Sequence, residues 1–201
     1  MMLLVGTAML IQRLLFGFFW TSLFETARNI RTGHFDFFLA QPGNVMFMTT
    51  TRKIDPDSLV NTFVAAAVII YSANQLGLQP SIGDIALYVL MILCGLLVHY
   101  SALTLAISLG FWITNAQGIE GSYFTLFEFS RLPRQAFSGI AIVVFVWVLP
   151  AVIVSNIPAH TLLHGFDLTS ALWLLGAALG WFGVACLVFH RGLRRYSSAS
   201  S

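Results

Sequence analysis

Residues 85–113, IALYVLMILCGLLVHYSALTLAISLGFWI, contain no Asp, Glu, Lys or Arg over 29 consecutive positions. A helix needs about 20 apolar residues to cross the hydrocarbon core of a bilayer. The run is continuously apolar rather than alternating, which favours a helix over a strand of a membrane barrel. Residues 85–113 therefore predict a membrane-spanning helix.

Four more stretches on either side have the same character. They are residues 1–24, 59–78, 136–154 and 170–190. The whole chain of 201 residues is 58% hydrophobic and 9% charged, whereas an average soluble domain is about 25% charged. This composition excludes a soluble globular domain, a disordered segment and a nucleic-acid binder that needs a basic face. We predict an all-α polytopic membrane protein with five spans, a bundle that forms one transmembrane domain over residues 1–201.

The positions of the charges predict the orientation of these spans. Nine of the ten Lys and Arg residues lie in three connecting segments, residues 25–58, 114–135 and 191–201. The other two loops, residues 79–84 and 155–169, contain no Lys or Arg. Cytoplasmic loops carry an excess of Lys and Arg. We therefore predict that the first span starts outside and that the C-terminus lies inside.

The first span begins at residue 1 without a charged flank. Because flanking charge normally fixes orientation, we expect a preceding helix that carries this end to the outer side. The alternative is a short N-terminus that crosses the membrane unaided.

The predicted cytoplasmic segment between the first two spans carries a short amphipathic pattern. Phe35, Phe38 and Leu39 recur at i, i+3 and i+4, which is typical of one helix face. Asp36 lies near the start of this pattern, where a carboxylate favours a helix N-terminus, and Pro42 ends it. Such a helix either lies on the lipid headgroups or docks a cytoplasmic partner, and both roles need an apolar face with a polar rim.

On the predicted outer side, residues 150–163 read PAVIVSNIPAHTLL. This stretch is apolar but contains Pro150 and Pro158, and proline in a helix interior removes a hydrogen bond. We predict a re-entrant or interfacial segment, because irregular backbone at membrane depth needs protein or a water cavity to satisfy it.

Ionisable side chains in and near the spans offer few candidates for chemistry. Arg13 either faces a translocation pathway or extends to the membrane surface, and His99 is either a pathway residue or a packed histidine. His160 and His164 are spaced to share one helix face, but a zinc site needs a third ligand, so interfacial histidines are the alternative. An enzyme that uses these histidines, or a non-transporting assembly subunit, remains a rival interpretation.

The chain also lacks an ATP-binding signature, because no Gly is followed by Lys and a Walker A motif is therefore absent. No catalytic residue and no metal site are predicted.

Three stretches together resemble the permease subunits of type-2 ABC exporters, in a branch with compact six-helix subunits. Residues 30–42, IRTGHFDFFLAQP, resemble the family's cytoplasmic I-R-x-G-x-L-D-x-x-L-x-x-P segment. The prolines of VLPA (residues 148–151) and IPA (residues 157–159) resemble the pair that enters the family's outer re-entrant region. Residues 189–199, FHRGLRRYSSA, resemble the family's C-terminal tail. The family has a further N-terminal helix, so the resemblance leads to the same expectation of a helix before residue 1.

The resemblance implies roles for particular residues. A coupling helix would dock on a separate ATPase through Arg31, Gly33, Asp36, Phe38, Leu39 and Pro42. Pro150 and Pro158 would belong to an outer re-entrant gate. Two ATPase subunits, which bind ATP and magnesium, would pair with this chain and a second permease subunit, identical or related, in the bacterial cytoplasmic membrane. This chain would bind no cofactor directly and would not be an enzyme.

Overall fold

The computed structural model describes residues 1–112, 123, 125, 128–140 and 152–196, and every regular element among them is helical. The α-helices are α1 (Met2–Leu15), α2 (Thr21–Thr32), α3 (Asp36–Leu39), α4 (Val45–Thr50), α5 (Pro56–Gln75), α6 (Ile82–Ser108), α7 (Ile153–His164) and α8 (Leu168–Arg195). A π-helical turn, Phe16–Trp20, joins α1 to α2. Short 3₁₀ turns lie at Leu109–Phe111, Phe129–Arg131 and Arg134–Ala136.

Four helical stretches are long and apolar enough to cross a membrane, which confirms the all-α polytopic prediction. They are Met2–Thr32, Pro56–Gln75, Ile82–Phe111 and Leu168–Arg195. The fifth predicted span, residues 136–154, falls mainly on positions outside the described residues, and its last two residues begin α7.

Side-chain caps fix where the spanning helices begin. Asp55 accepts a hydrogen bond from the Asp57 N–H at the start of α5, and Ser81 and Asp84 form a reciprocal capping box at the start of α6. Asp167 accepts from the backbone N–H groups of Thr169 and Ser170 at the start of α8. These caps satisfy N–H groups that have no partner within the helix.

The π turn fastens the first span to α5. Gly17 lies in this turn, and a Cβ there would stand 2.5 Å from Leu59 Cδ2, so a larger residue would force the Leu59 side chain to move. The Gly17 carbonyl oxygen accepts a hydrogen bond of 2.8 Å from the Asp55 N–H. The bond joins the middle of the first span to the residue that caps α5.

Helix α6 lies at the centre of the described bundle and contacts α1, α2, α7 and α8. Met91 and Cys94, in its first half, pack with Leu174 of α8, while the Phe111 ring beyond its C-terminal end contacts Phe189. The two helices therefore run parallel, and both end beside the segment between α2 and α5.

The predicted cytoplasmic loop at residues 114–135 differs from the structure. Tyr123 is buried, and its hydroxyl lies 2.7 Å from His99 Nδ1, twelve residues and about 18 Å of helix before Phe111. Ser130 is fully buried as well. These two residues therefore pack inside the bundle, whereas the sequence analysis placed them in a connecting segment. Glu128 and Arg131 interrupt the apolar pattern, but they form an ion pair of 3.1 Å that the sequence alone does not reveal.

Candidate docking site

The predicted coupling segment begins with a left-handed turn at the end of α2. Gly33 has φ +80, a conformation that side chains with a Cβ rarely adopt. The chain reverses there, so that the Phe35 N–H donates to the Asn29 carbonyl oxygen at 3.2 Å. Gly33 therefore sets the direction in which the segment leaves the bundle.

Helix α3 follows this turn, and its aromatic residues point in different directions. Phe35 and Phe38 are 0% and 5% exposed. The Phe35 ring packs at 5.6 Å from Phe111 and 5.5 Å from Tyr196. Phe37 and Leu39 are exposed instead, Phe37 by 62%.

The sequence pattern grouped Phe35, Phe38 and Leu39 on one face, and the structure separates them. A four-residue helix is too short to place all three side chains on one face. Phe35, just before the helix, and Phe38 pack into the bundle. Phe38 therefore contacts the bundle interior, whereas the Phe37 side chain is exposed. The adjacent pair Phe37 and Phe38 was the available signal, because two consecutive aromatics on a short helix must face different ways.

The other predicted coupling residues lie around α3. Arg31 and Pro42 are exposed, and Gly33 and Asp36 are half-buried. Burial raises the pKa of the Tyr196 phenol above its ordinary value of 10.0, and the charge of the nearby Asp36 carboxylate raises it further. The Asp36 carboxylate therefore lies near the end of α8, where the Phe35 ring also contacts Tyr196.

Helix α4 anchors the same segment deep in the bundle. Thr50 Oγ1 lies 2.8 Å from the Tyr100 hydroxyl of α6. Thr26 Oγ1 of α2 donates to the Thr49 carbonyl oxygen at 2.9 Å. After α4, the Lys53 ammonium forms an ion pair of 2.9 Å with Glu25. The segment is thus bonded to both α2 and α6, and displacement of α3 and α4 must act on both helices.

The predicted outer gate corresponds in part to α7. Pro150 lies outside the described residues, whereas Pro158 is buried inside α7, which continues through it. Proline lacks the N–H that would bond to the residue four positions earlier. That residue is Val154, whose carbonyl oxygen lies against Gly95 of α6, 2.9 Å from where a Cβ would stand. With 12 residues, α7 is about 18 Å long, shorter than the apolar core of a bilayer.

Helix α7 is also bonded to the turns that precede it. Ser155 Oγ donates to the Ser130 carbonyl oxygen. The Asn156 side chain donates to the Leu132 carbonyl oxygen at 3.0 Å and accepts from the Arg134 N–H at 3.0 Å. Polar groups of this segment are therefore satisfied by protein, as irregular backbone within a bundle requires.

The structure does not bring the predicted pathway residues together. Arg13 is half-buried on α1, while His99 is 3% exposed on α6 and bonded to Tyr123. The rings of His160 and His164 stack with centroids 4.4 Å apart. Within the described part of the chain, no three His, Cys, Asp or Glu residues are placed to hold a metal ion.

Comparison with known proteins gives one finding. A family model described as "ABC-2 family transporter protein" matches residues 1–200. Neither the curated proteins nor the solved structures contain a match to the chain. The family match confirms the resemblance seen in the three motifs. With its long apolar helices, the protein is a multi-pass membrane permease, a component of a transporter. The chain belongs to the ABC-2 transporter family.

Proposed function

We propose that the protein is the transmembrane subunit of an ATP-driven exporter, coupled to separate ATPase subunits through the segment from Arg31 to Lys53. The observation that carries this proposal is the division of α3. Phe38, and Phe35 just before the helix, pack into the bundle. Phe37 and Leu39 are exposed, as is the nearby Pro42. An exposed aromatic beside a charged residue, here Phe37 beside Asp36, is suited to docking a protein partner.

The bonds behind this surface supply the coupling. ATP and magnesium bind to the partner ATPase, and only a conformational change is transmitted from it to this chain. Thr50 transmits displacement to α6 through Tyr100, and Thr26 transmits it to α2. Rigid-body shifts of packed helices are a common way to convert movement at an interface into a change of access.

In the complete transporter, two ATPases serve this subunit and a second permease, identical or related, in a bacterial cytoplasmic membrane. Residues 28–53 and 191–195 then face the cytoplasm, which agrees with their seven Lys and Arg residues. The outer gate comprises Pro150 together with α7, which contains Pro158. Arg13 and His99 remain candidates for the pathway.

Site-specific photo-crosslinking tests the docking surface. A photo-reactive phenylalanine analogue replaces Phe37 in the full chain, expressed in its native host. Phe166 is the matched control, since it is an exposed phenylalanine just before α8, at the opposite end of the bundle. We expect position 37 to capture a polypeptide that binds and hydrolyses ATP, and position 166 not to capture it. Capture of no ATPase from position 37, or equal capture from both positions, would contradict the proposal.

A further inference from the structure

A cavity of about 410 Å³ opens on the side of the bundle between α4, α6 and α8. Its walls are mostly apolar and include Phe19, Met46, Leu93, Leu97 and Phe182. This volume lies in the usual range for small-molecule sites. The cavity is separate from the exposed surface of α3.

The polarity of the cavity changes along its length. Leu93 of α6 and Phe182 of α8 line its apolar end. Asn44, Thr51 and His190 line the other end, beside the segment that follows α2. Because α6 and α8 run parallel, both walls lead from apolar to polar in the same direction. The cavity therefore matches a molecule with an apolar tail and a polar head.

Cations extend the polar end. Arg52 follows Thr51 directly, and its guanidinium lies 5.5 Å from the centroid of the Phe38 ring. On α8 the lining residues Phe182, Cys186 and His190 recur every four positions, and Arg194 is the next member of that row. Among the described residues, neither arginine forms an ion pair with a carboxylate, whereas Glu25 is already paired with Lys53.

We propose that this cavity binds an anionic phospholipid of the cytoplasmic leaflet. One acyl chain lies between Leu93 and Phe182, and the phosphate lies at the rim beside Arg52 and Arg194. Basic pockets between membrane helices on the cytoplasmic side are suited to anionic headgroups. The His190 Nδ1 donates to the Cys186 carbonyl oxygen at 2.7 Å, which holds the imidazole at this rim.

The lipid would contact the coupling segment itself. Met46 and Phe47 of α4 line the cavity, and the Met46 sulfur lies 3.8 Å from Cys186 Sγ. The bound chain would therefore pack between α4 and the two parallel helices. Its place in the cytoplasmic leaflet rests on the proposed function's orientation of the chain, but the site does not depend on which way substrate moves.

Native mass spectrometry of the full chain tests the proposal. The detergent-purified protein is incubated with phosphatidylglycerol or with phosphatidylcholine of the same acyl chains. We expect preferential retention of phosphatidylglycerol, and replacement of one rim arginine, R52Q or R194Q, should reduce that preference about fivefold.

Two tryptophan variants test the apolar end. L93W places a large ring in the mouth of the cavity, whereas L90W is its matched control on the same helix. Both leucines are about equally exposed, 53% and 49%, but Leu90 does not line the cavity. We expect L93W to lose the bound lipid and L90W to retain it. Equal retention of both lipids by the unaltered chain, or equal behaviour of L93W and L90W, would overturn the proposal.

Discussion

The Arg131 Nη2 atom lies 2.6 Å from the side-chain oxygen of Gln12, a hydrogen bond between residues 119 positions apart. Gln12 is buried within α1, and Arg131 also pairs with Glu128. Hydrogen bonds with a charged partner are stronger than neutral ones, particularly where water is excluded. This bond connects the first span to the turns that hold α7.

Replacing Gln12 by leucine should destabilise the protein by about 1–3 kcal/mol, because the Arg131 guanidinium loses a buried acceptor. Thermal unfolding in detergent measures the effect. The control is Gln75→Leu, which changes an exposed glutamine at the end of α5. Equal unfolding temperatures for the two variants would show that the bond adds no stability.

Replacing Gly95 by alanine should destabilise the packing of α7 on α6 by about 1–3 kcal/mol. The added Cβ would stand 2.9 Å from the Val154 carbonyl oxygen, which Pro158 leaves without its helical partner. Gly176→Ala is the matched control, because a Cβ there meets no atom within 4 Å. The unfolding temperature should fall only for the Gly95 variant, and a similar fall in both would contradict the close contact.

Replacing Phe37 by aspartate should abolish stimulation of the partner's ATPase by the permease, since the exposed ring would be lost from the docking surface. The unfolding temperature should stay near that of the unaltered protein, because this ring lies outside the bundle. Steady-state ATP hydrolysis by the purified complex is the measurement, with Phe166→Asp as control. Unchanged stimulation in the Phe37 variant would exclude this residue from the interface.

Replacing Thr50 by valine should weaken coupling without preventing docking, because it removes the hydroxyl that meets Tyr100 while keeping the side-chain shape. The expected loss of stability is about 1 kcal/mol. Thr62→Val is the control, since Thr62 lies on α5 outside the segment and its hydroxyl donates within its own helix, to the Ser58 carbonyl oxygen. The ratio of transport to ATP hydrolysis should fall in the Thr50 variant alone; an unchanged ratio would remove Thr50 from the coupling route.

Acidification should loosen the start of α8. The Ser170 hydroxyl and the N–H groups of Ser170 and Thr169 lower the pKa of Asp167 below its ordinary value of 3.8. A depressed carboxyl pKa contributes stability above the ordinary value, and that stability is lost as the pH falls through the lowered one. Asp167→Asn should keep a cap and flatten this dependence, which thermal unfolding between neutral and strongly acidic pH would reveal; an unchanged profile would contradict it.

The hydropathy of the chain predicted the long helices well, because each is continuously apolar over a membrane thickness. Segments that combine apolar and charged residues were harder to predict. Residues 128–131 were predicted as part of a loop, since the pattern of charge does not show that Arg131 pairs with Glu128 and donates a hydrogen bond to Gln12. The spacing predicted a short helix in the proposed docking segment, but the choice between Phe37 and Phe38 depends on how that helix meets the bundle. Tertiary packing decides which of the two rings is buried, so the periodicity of the local sequence does not predict it.

The π turn at Phe16–Trp20 also has a consequence for register. One extra residue in a helical turn rotates every following side chain by about 100° relative to an uninterrupted α-helix. The face of α2 that leads to Gly33 is therefore set by the turn as well as by the sequence of α2. Deleting one residue from the turn would therefore change the direction in which the proposed docking segment leaves α2, although the sequence of that segment stays the same.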